Sequence, residues 1–439
     1  MTPFEEAAAP AALAMLAEGD GRLEAAVEAR LARLGVLFTA HGGSTAFPLD
    51  LVPRVIASEE WDHLKVGLAQ RVKALNAFVA DAYGPRRIVQ AGVVPSRVIE
   101  TADHYEPAMR GVEPPGGVWI GVAGLDLVRD GTGEFLVLED NLMTPSGFGY
   151  AVAAREAVAE SLELDAGERP RGLGEVPVLL AGMLRAGAAR ESEPYLIVLS
   201  EGPENGAYWE HVWAAKALGV PLVAPSELEL DGDTLKHGPH TVDGVYRRTN
   251  ADLLSTDVGK LLGPPLRAGT LGVLNAFGTG VGDDKLTHAY VEDMIRFYVG
   301  EEPRLRSVPT LDLARRDHLE QALDTFHELV VKPRAGHGGF GVVVCPHAEP
   351  EDVAAVREAV RKAPEEWVAQ PLVDLSTHPT LVDGALAPRH VDLRPFVFMH
   401  GPDHPRVMPG GLTRFATAEG SLVVNSTQEG GFKDTWVMA

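Results

Sequence analysis

The stretch VWIGVAGLDLVRDGTGEFLVLEDN, residues 118–141, decides how the rest of the chain is read. Two apolar, strand-like runs flank Gly131-Thr132-Gly133, which is the pattern of a β-hairpin. On the second run Glu139 and Asn141 are two residues apart, so their side chains share one face of a strand. With a two-residue loop at Gly131-Thr132, Asp126 falls opposite Val137, on that same face and one diagonal step from Glu139. Two carboxylates and an amide oxygen are hard ligands, suited to a Mg²⁺ ion that keeps waters and bridges nucleotide phosphates. The alternative is a solvated face with turn-favouring Asp and Asn. Because the acids end the core run Phe135-Leu136-Val137-Leu138, the two readings are evenly matched on this stretch alone.

Composition bounds the rest. The 439 residues suffice for roughly three compact units. Hydrophobic residues make up 45% and charged residues 23%, the balance of an ordinary globular chain with a large core. Against 62 acidic residues stand 39 basic ones, a formal net charge of -23. Such a chain is repelled by nucleic acid and by anionic lipid, so neither is expected as a partner. The single cysteine, Cys345, excludes an internal disulfide framework and a cysteine-based zinc cluster. It sits in the apolar run Gly341–Cys345 and reads as inert core rather than nucleophile. Glu5 and Glu6 occupy the place where a signal peptide needs positive charge, and no apolar run approaches a membrane span. A cytoplasmic protein is expected.

Working outward from the hairpin, the first hundred residues read as mainly helical. Glu60 to Tyr83 sets Leu64, Leu68, Val72, Leu75, Phe78 and Val79 at helical spacing before Gly84-Pro85 ends the run. After a helical stretch over 151–162 and a Gly/Pro/Glu-rich linker, strand–helix–strand alternation begins with YLIVLS. It continues through the helix 209–218, VPLVA and VDGVYRR, which argues for a small parallel α/β unit. From Asn275 the glycine-rich NAFGTGVGDDK leads into a helix. Further on, LVVKP and GVVVC flank RAGHGGFG.

Three more constellations bear on chemistry. Lys332, at the end of a strand, precedes Gly336, Gly338, Gly339 and Gly341. Glycines let backbone N–H groups approach an anion, and the lysine adds a point charge. No Gly-Lys-Ser/Thr follows, so this is not a P-loop; a glycine flap or a plain hairpin turn both fit. Lys285 follows Asp283-Asp284, and alone it reads as a surface lysine. In the tail, Arg389-His390-Val391-Asp392-Leu393-Arg394 and the run up to Arg414 supply guanidinium groups suited to phosphate or carboxylate oxygens. His390 reads more simply as bonded to the backbone than as a base. Ser146 lacks a nucleophile elbow, and no HExxH occurs.

Taken in order, these segments resemble the ATP-grasp superfamily with its metal site moved to the front. The pattern is similar to the circularly permuted ATP-grasp family, type 2, relatives of the glutathionylspermidine synthetase-like ligases. The resemblance runs through PLDLVPRVI, LEDNLMTPSGFGY, YRRTNADLL, VVKPRAGHGGFGV, RHVDLRPFV, PGGLTRFA and VVNSTQEGGFKDTW. It implies an α/β (α+β) fold: a permuted ATP-grasp with a small parallel α/β pre-ATP-grasp domain and an N-terminal helical region. The expected divisions are 1–110 helical, 111–190 with the metal hairpin, 191–274 α/β, 275–375 with the flap, and 376–439 completing the second lobe.

The resemblance also implies roles. Asp126, Glu139 and Asn141 would hold Mg²⁺, and Lys285, Lys332 and the Gly336–Gly341 flap would contact ATP. The backbone of Val368, Ala369 and Gln370 would read adenine, and Arg394 and Arg414 would act in catalysis. Arg110, Ser146, Arg247, Arg248, Asn425 and Lys433 are candidates for the substrate. The implied reaction joins a small-molecule or peptide carboxylate to an amine through an acyl-phosphate. A phosphotransferase and a non-catalytic nucleotide scaffold are the alternatives. Met143 stands where relatives have arginine, which removes an anion contact, and the region before His41 is short.

Overall fold

The structure is a computed structural model that describes residues 3–40, 43–250, 253–336, 340–422, 424 and 430–439. The hairpin forms as strands Val122–Arg129 and Phe135–Asn141. Its register differs from the expectation. Asp130 Oδ1 accepts from the N–H groups of Thr132 and Glu134 at 2.9 and 3.0 Å, which lengthens the loop beyond two residues. Arg129 then faces Phe135, Leu127 faces Val137, and a bulge at Leu138 brings Asp126 directly opposite Glu139. Bulges re-aim side chains beside active sites, and Leu138 is the extra residue here.

The hairpin belongs to an eight-stranded sheet, and the sheet is where the permutation becomes visible. Beyond Val122–Arg129 lie, in order, Ala385–Met399, Pro405–Phe415, Gly431–Val437 and Leu49–Ile56; Arg306–Ser307 closes the other edge. Leu393 pairs with Leu127, and Phe396 with Gly124, so the late strands dock on the early hairpin. The last strand pairs in parallel with Leu49–Ile56. The first hundred residues are mainly helical, as expected, and that strand is an exception the sequence reading did not mark. Pro53, Asp50 and Arg54 break its apolar pattern, yet all fit: the strand is outermost in the sheet, where a proline is tolerated. Asp50 takes Lys433 as its partner and Arg54 takes Glu6.

The helix anticipated over 60–83 runs from Ser58 to Tyr83. It buries Trp61, Leu64, Leu68, Val72, Leu75 and Phe78 in the main core. Arg71 on its inner face is also fully buried, and its partner is described below.

A second sheet is wholly parallel, in the order Gly272–Leu274, Gly244–Arg248, Leu196–Ser200, Leu222–Val223. Helices Tyr208–Leu218 and Asp257–Arg267 accompany it. Asn275, just past its edge strand, welds this sheet to the first. Its amide oxygen accepts from Gly121 and Val122, and its nitrogen donates to Val122 O and Leu142 O, at 2.5–2.9 Å. A buried side-chain amide with four such bonds is fully satisfied.

The third sheet is antiparallel: Leu311–Asp312, Trp367–Pro371, Leu329–Pro333, Val343–Val344. Helices Arg316–Asp324 and Pro350–Lys362 cover it over a separate core containing Leu313, Phe326, Val331 and Val360. Cys345 lies in that core, and burial pushes its thiol pKa up. Among the described residues no helix is long and apolar enough to cross a membrane.

Candidate active site

A pocket of about 360 Å³ opens between the eight-stranded sheet and the antiparallel sheet. Asp126, Glu139 and Asn141 line it from the hairpin, Arg394 and Arg414 from the adjacent strands, and Lys285 and Lys332 from the facing segments. Sequence order separates these groups widely, and strand register unites them. Arg394 donates through Nε and Nη2 to the two oxygens of Asp126 at 2.6 and 2.8 Å. Arg414 Nη2 lies 2.8 Å from Asp126 Oδ2, and its Nε donates to Asp392 at 2.9 Å. Burial raises the pKa of Asp126, but the two guanidinium groups more than reverse this and hold it well below the usual carboxylate range. Burial pushes Asp392 up against the pull of Arg414, and the negative charge of Asp126 adds a lesser push in the same direction. Arg414, between two carboxylates, is held firmly protonated despite its burial.

Glu139 is differently placed. Its side chain is 38% exposed, against 5% for Asp126, and its nearest cation is Lys332 Nζ at 3.8 Å. Among the described residues most of its acceptor capacity is therefore free. The buried Asn141 Nδ2 has no partner among the described residues, so nothing pins that amide and its oxygen can face the pocket. Among the described residues no three His, Cys, Asp or Glu side chains form a ready metal cage. Two opposed carboxylates with an amide still suit Mg²⁺, which takes few protein ligands and relies on water and phosphate for the rest.

Lys332 is buried, and that burial lowers its pKa. Lys285 Nζ donates to the carbonyl of Gly336 at the flap's root. Gly336 and Gly341 take φ values of +99° and +74°, which glycine adopts without strain. Gly338 and Gly339 lie outside the described residues. Arg334, which the sequence reading passed over, anchors the root. It donates to Asp284 at 2.7 and 2.8 Å and to Val98 O at 3.0 Å. Only a position two residues past Lys332 marked it in the sequence. Asp103 and His104 also reach the pocket, from a segment with no motif of its own.

Of the three residues expected to meet adenine, Gln370 lines the pocket and Val368 and Ala369 do not. Val368 and Ala369 sit in the middle of the antiparallel sheet, pairing with Asp312 and Leu311 on one side and Lys332 and Val331 on the other. Their backbone groups are thus already used. Gln370 to Val373 line the pocket instead, beside Val330, Val344 and Leu375. Gln370 is oriented by a 2.8 Å bond from Nε2 to Thr310 Oγ1.

Behind the metal-type strand, Asp140 points the opposite way from its neighbours. Arg71 donates to both its oxygens at 2.6 and 2.7 Å, and His288 Nδ1 lies 2.9 Å from Oδ2. This pair fixes the strand end that carries Glu139 and Asn141.

The candidate substrate residues do not gather in the pocket. Arg110 is exposed, and Asn425 lies outside the described residues. Arg247 is buried over the Phe277 ring and donates to Asn275 O. Arg248 and Ser146 do meet: Arg248 bonds Ser146 Oγ and, at 3.0 Å, Pro145 O, bracing the loop after Asn141. Lys433 is fully buried against Asp50, under Phe415 and away from the pocket lining. His390 Nδ1 lies 3.0 Å from Leu375 O, the backbone bond expected of it.

Residues 53–416 match the family described as circularly permuted ATP-grasp type 2, and the chain belongs to that family. It is 44% identical over 419 residues to an uncharacterised protein of Mycobacterium tuberculosis, covering 92% of this chain and 76% of that one. A Frankia casuarinae protein with the provisional name glutamate–cysteine ligase 2-2 is 45% identical over 422 residues, which are 92% of this chain but 48% of that protein. A glutathione synthetase-like effector of Globodera pallida, solved in its apo form, shares the fold. Its TM-score is 0.62 at 11% identity, over 95% of this chain and 96% of that one.

Proposed function

We propose that the chain is an ATP- and Mg²⁺-dependent carboxylate–amine ligase that forms an amide or peptide-type bond and releases ADP and phosphate. The observation that carries this reading is the single pocket where Glu139, Asp126, Lys285, Lys332, Arg394 and Arg414 converge. Family membership and the ligase name of the Frankia relative support it.

In this reading a substrate carboxylate oxygen attacks the γ-phosphorus of ATP. The bond to the β–γ bridging oxygen breaks, giving ADP and an acyl-phosphate. The amine nitrogen then attacks the acyl carbon, loses a proton, and phosphate leaves. Such a reaction needs positioning and charge neutralisation more than covalent participation by the protein. Lys285 and Lys332 meet the phosphate oxygens, and Arg394 and Arg414 neutralise charge on the transferred group. Asp126, Glu139 and Asn141 hold Mg²⁺, which when bound shields the phosphate charge. Gln370 to Val373 receive the adenine, and the flap excludes water from the acyl-phosphate. Small-molecule or peptide acids and amines are the substrates.

The test is an ADP-release screen of purified protein with Mg²⁺·ATP over acid–amine pairs, including glutamate with cysteine. Hydroxylamine should trap the intermediate as a hydroxamate. Tight ATP binding with neither ADP nor hydroxamate across the set would sink the ligase reading.

A further inference from the structure

Directly behind the pocket lies a small cavity of about 10 Å³, the space of one water molecule. Glu139, Lys285, Lys332 and Gln370 border both spaces, whereas His288 borders only the inner one. His288 is 5% exposed. Its Nδ1 lies 2.9 Å from Asp140 Oδ2 and 3.1 Å from Arg71 Nη2, which donates to that same oxygen at the shorter distance of 2.7 Å. Asp140 also accepts two bonds from Arg71, the bidentate grip of a guanidinium on an ionised carboxylate. An ionised carboxylate only accepts, so Nδ1 carries the proton and Nε2 presents a lone pair. Burial also keeps the ring neutral, its pKa lowered. Nε2 is buried without a hydrogen-bond partner among the described residues. An acceptor left so costs free energy unless water reaches it.

The geometry points to His288 as a positioning residue: through one water held in this cavity, its Nε2 fixes the Lys332 ammonium beside Glu139. The water donates one proton to Nε2 and one to the Glu139 carboxylate and accepts from Lys332 Nζ, so Nε2 gains its missing partner and the ammonium a hydrogen-bonded one. Lys332 is buried and has its nearest carboxylate oxygen only at 3.8 Å, too far for a direct hydrogen bond. The bridging water supplies the missing restraint. The tie between Arg71, Asp140, His288 and Lys332 then links the long helix to the phosphate-binding groove. This inference rests on the reading of Lys332 as a phosphate contact.

The test uses the full chain and calorimetric binding of Mg²⁺·ATP, which needs no knowledge of the acid or amine. His288→Leu, which removes the acceptor, is expected to weaken ATP binding about tenfold. His288→Gln, which restores an acceptor, is expected to bind within about threefold of the unaltered chain. Unchanged binding in His288→Leu overturns the inference, and so does equal weakening in both variants, which marks a merely structural role. Lys332→Met separates the two readings. If it binds ATP normally, the phosphate reading falls and takes this inference with it. If it binds weakly while His288→Leu is unaffected, this inference alone falls. A high-resolution crystal structure of the unaltered chain gives a check independent of any variant's folding. A water within hydrogen-bond reach of both Nε2 and Lys332 Nζ supports the tie, and its absence overturns it.

Discussion

Arg394 grips Asp126 through two bonds of 2.6 and 2.8 Å, although 268 positions of chain separate them. The pair joins a carboxylate from the early hairpin to a cation from the late strands, so the pocket exists only when both ends of the permuted order have met. Asp126 is also partnered by Arg414, which leaves Glu139 as the carboxylate with free capacity. The two acids of the hairpin are thus unequal, and substitutions should separate them.

Glu139→Gln keeps the size of the side chain and removes the charge that suits Mg²⁺. ADP release is expected to fall about 100-fold or more with the fold intact by circular dichroism. Asp126→Asn instead leaves Arg394 and Arg414 with less compensation, and it should lower stability as well as turnover. Parent-like ADP release by Glu139→Gln would mean that this residue holds no ion.

Acid should unfold the protein through its buried carboxylates. Asp126, Asp140 and Glu6 are each raised by burial and lowered further by paired guanidinium groups, so their folded pKa values lie below the unfolded ones. Their contribution is present above the unfolded value, about 4, and is lost as pH falls through the folded values. Lys433 acts in the same direction over a more alkaline window. Burial pushes it to about 8, below the unfolded value of about 10.4, so its contribution grows as pH rises between the two. Urea midpoints across pH check both slopes; a midpoint that stays level below pH 4 would contradict the first.

Arg71→Leu should be among the most destabilising single changes. It leaves Asp140, 4% exposed, as an uncompensated buried charge beside His288. A loss of about 3–5 kcal/mol is expected from chemical denaturation. A loss under about 1 kcal/mol would show that Asp140 finds another partner.

Lys433→Met should destabilise for the same reason, by stranding Asp50, whose side chain is 1% exposed. Adding Asp50→Asn, which removes the stranded charge and keeps an acceptor for one of the two backbone N–H groups, Val52 and Leu381, that bond separate oxygens of Asp50, should recover part of the loss. Because this pair lies outside the pocket, ATP affinity of the folded double variant should match the unaltered chain. A clear change in that affinity would return Lys433 to the list of ligand contacts.

The hairpin, the core helix Ser58–Tyr83 before it, and the parallel α/β unit were legible because each has a clean period of apolar residues. The strand Leu49–Ile56 was not, since its buried polar residues are paired with partners distant in sequence. The hairpin register slipped for a local reason: Asp130 builds a longer loop, and Leu138 is inserted as a bulge. Within the site, charged residues flanked by strand patterns stood out. Arg71, His288 and Arg334 did not, because their roles come from what they touch across the fold. That Val368 and Ala369 pair inside the sheet while Gln370 to Val373 line the pocket follows from sheet order, which one strand's sequence does not carry.

The parallel pairing of Gly431–Val437 with Leu49–Ile56 has a consequence for biosynthesis. The first strand leaves the ribosome nearly the whole chain ahead of its neighbour, so the central sheet cannot close segment by segment during translation. Until then Asp50 waits without Lys433. Ribosome-held chains that stop before Gly431 are therefore expected to stay protease-sensitive around residues 49–56, and this family's reordered segments make its folding late and all at once.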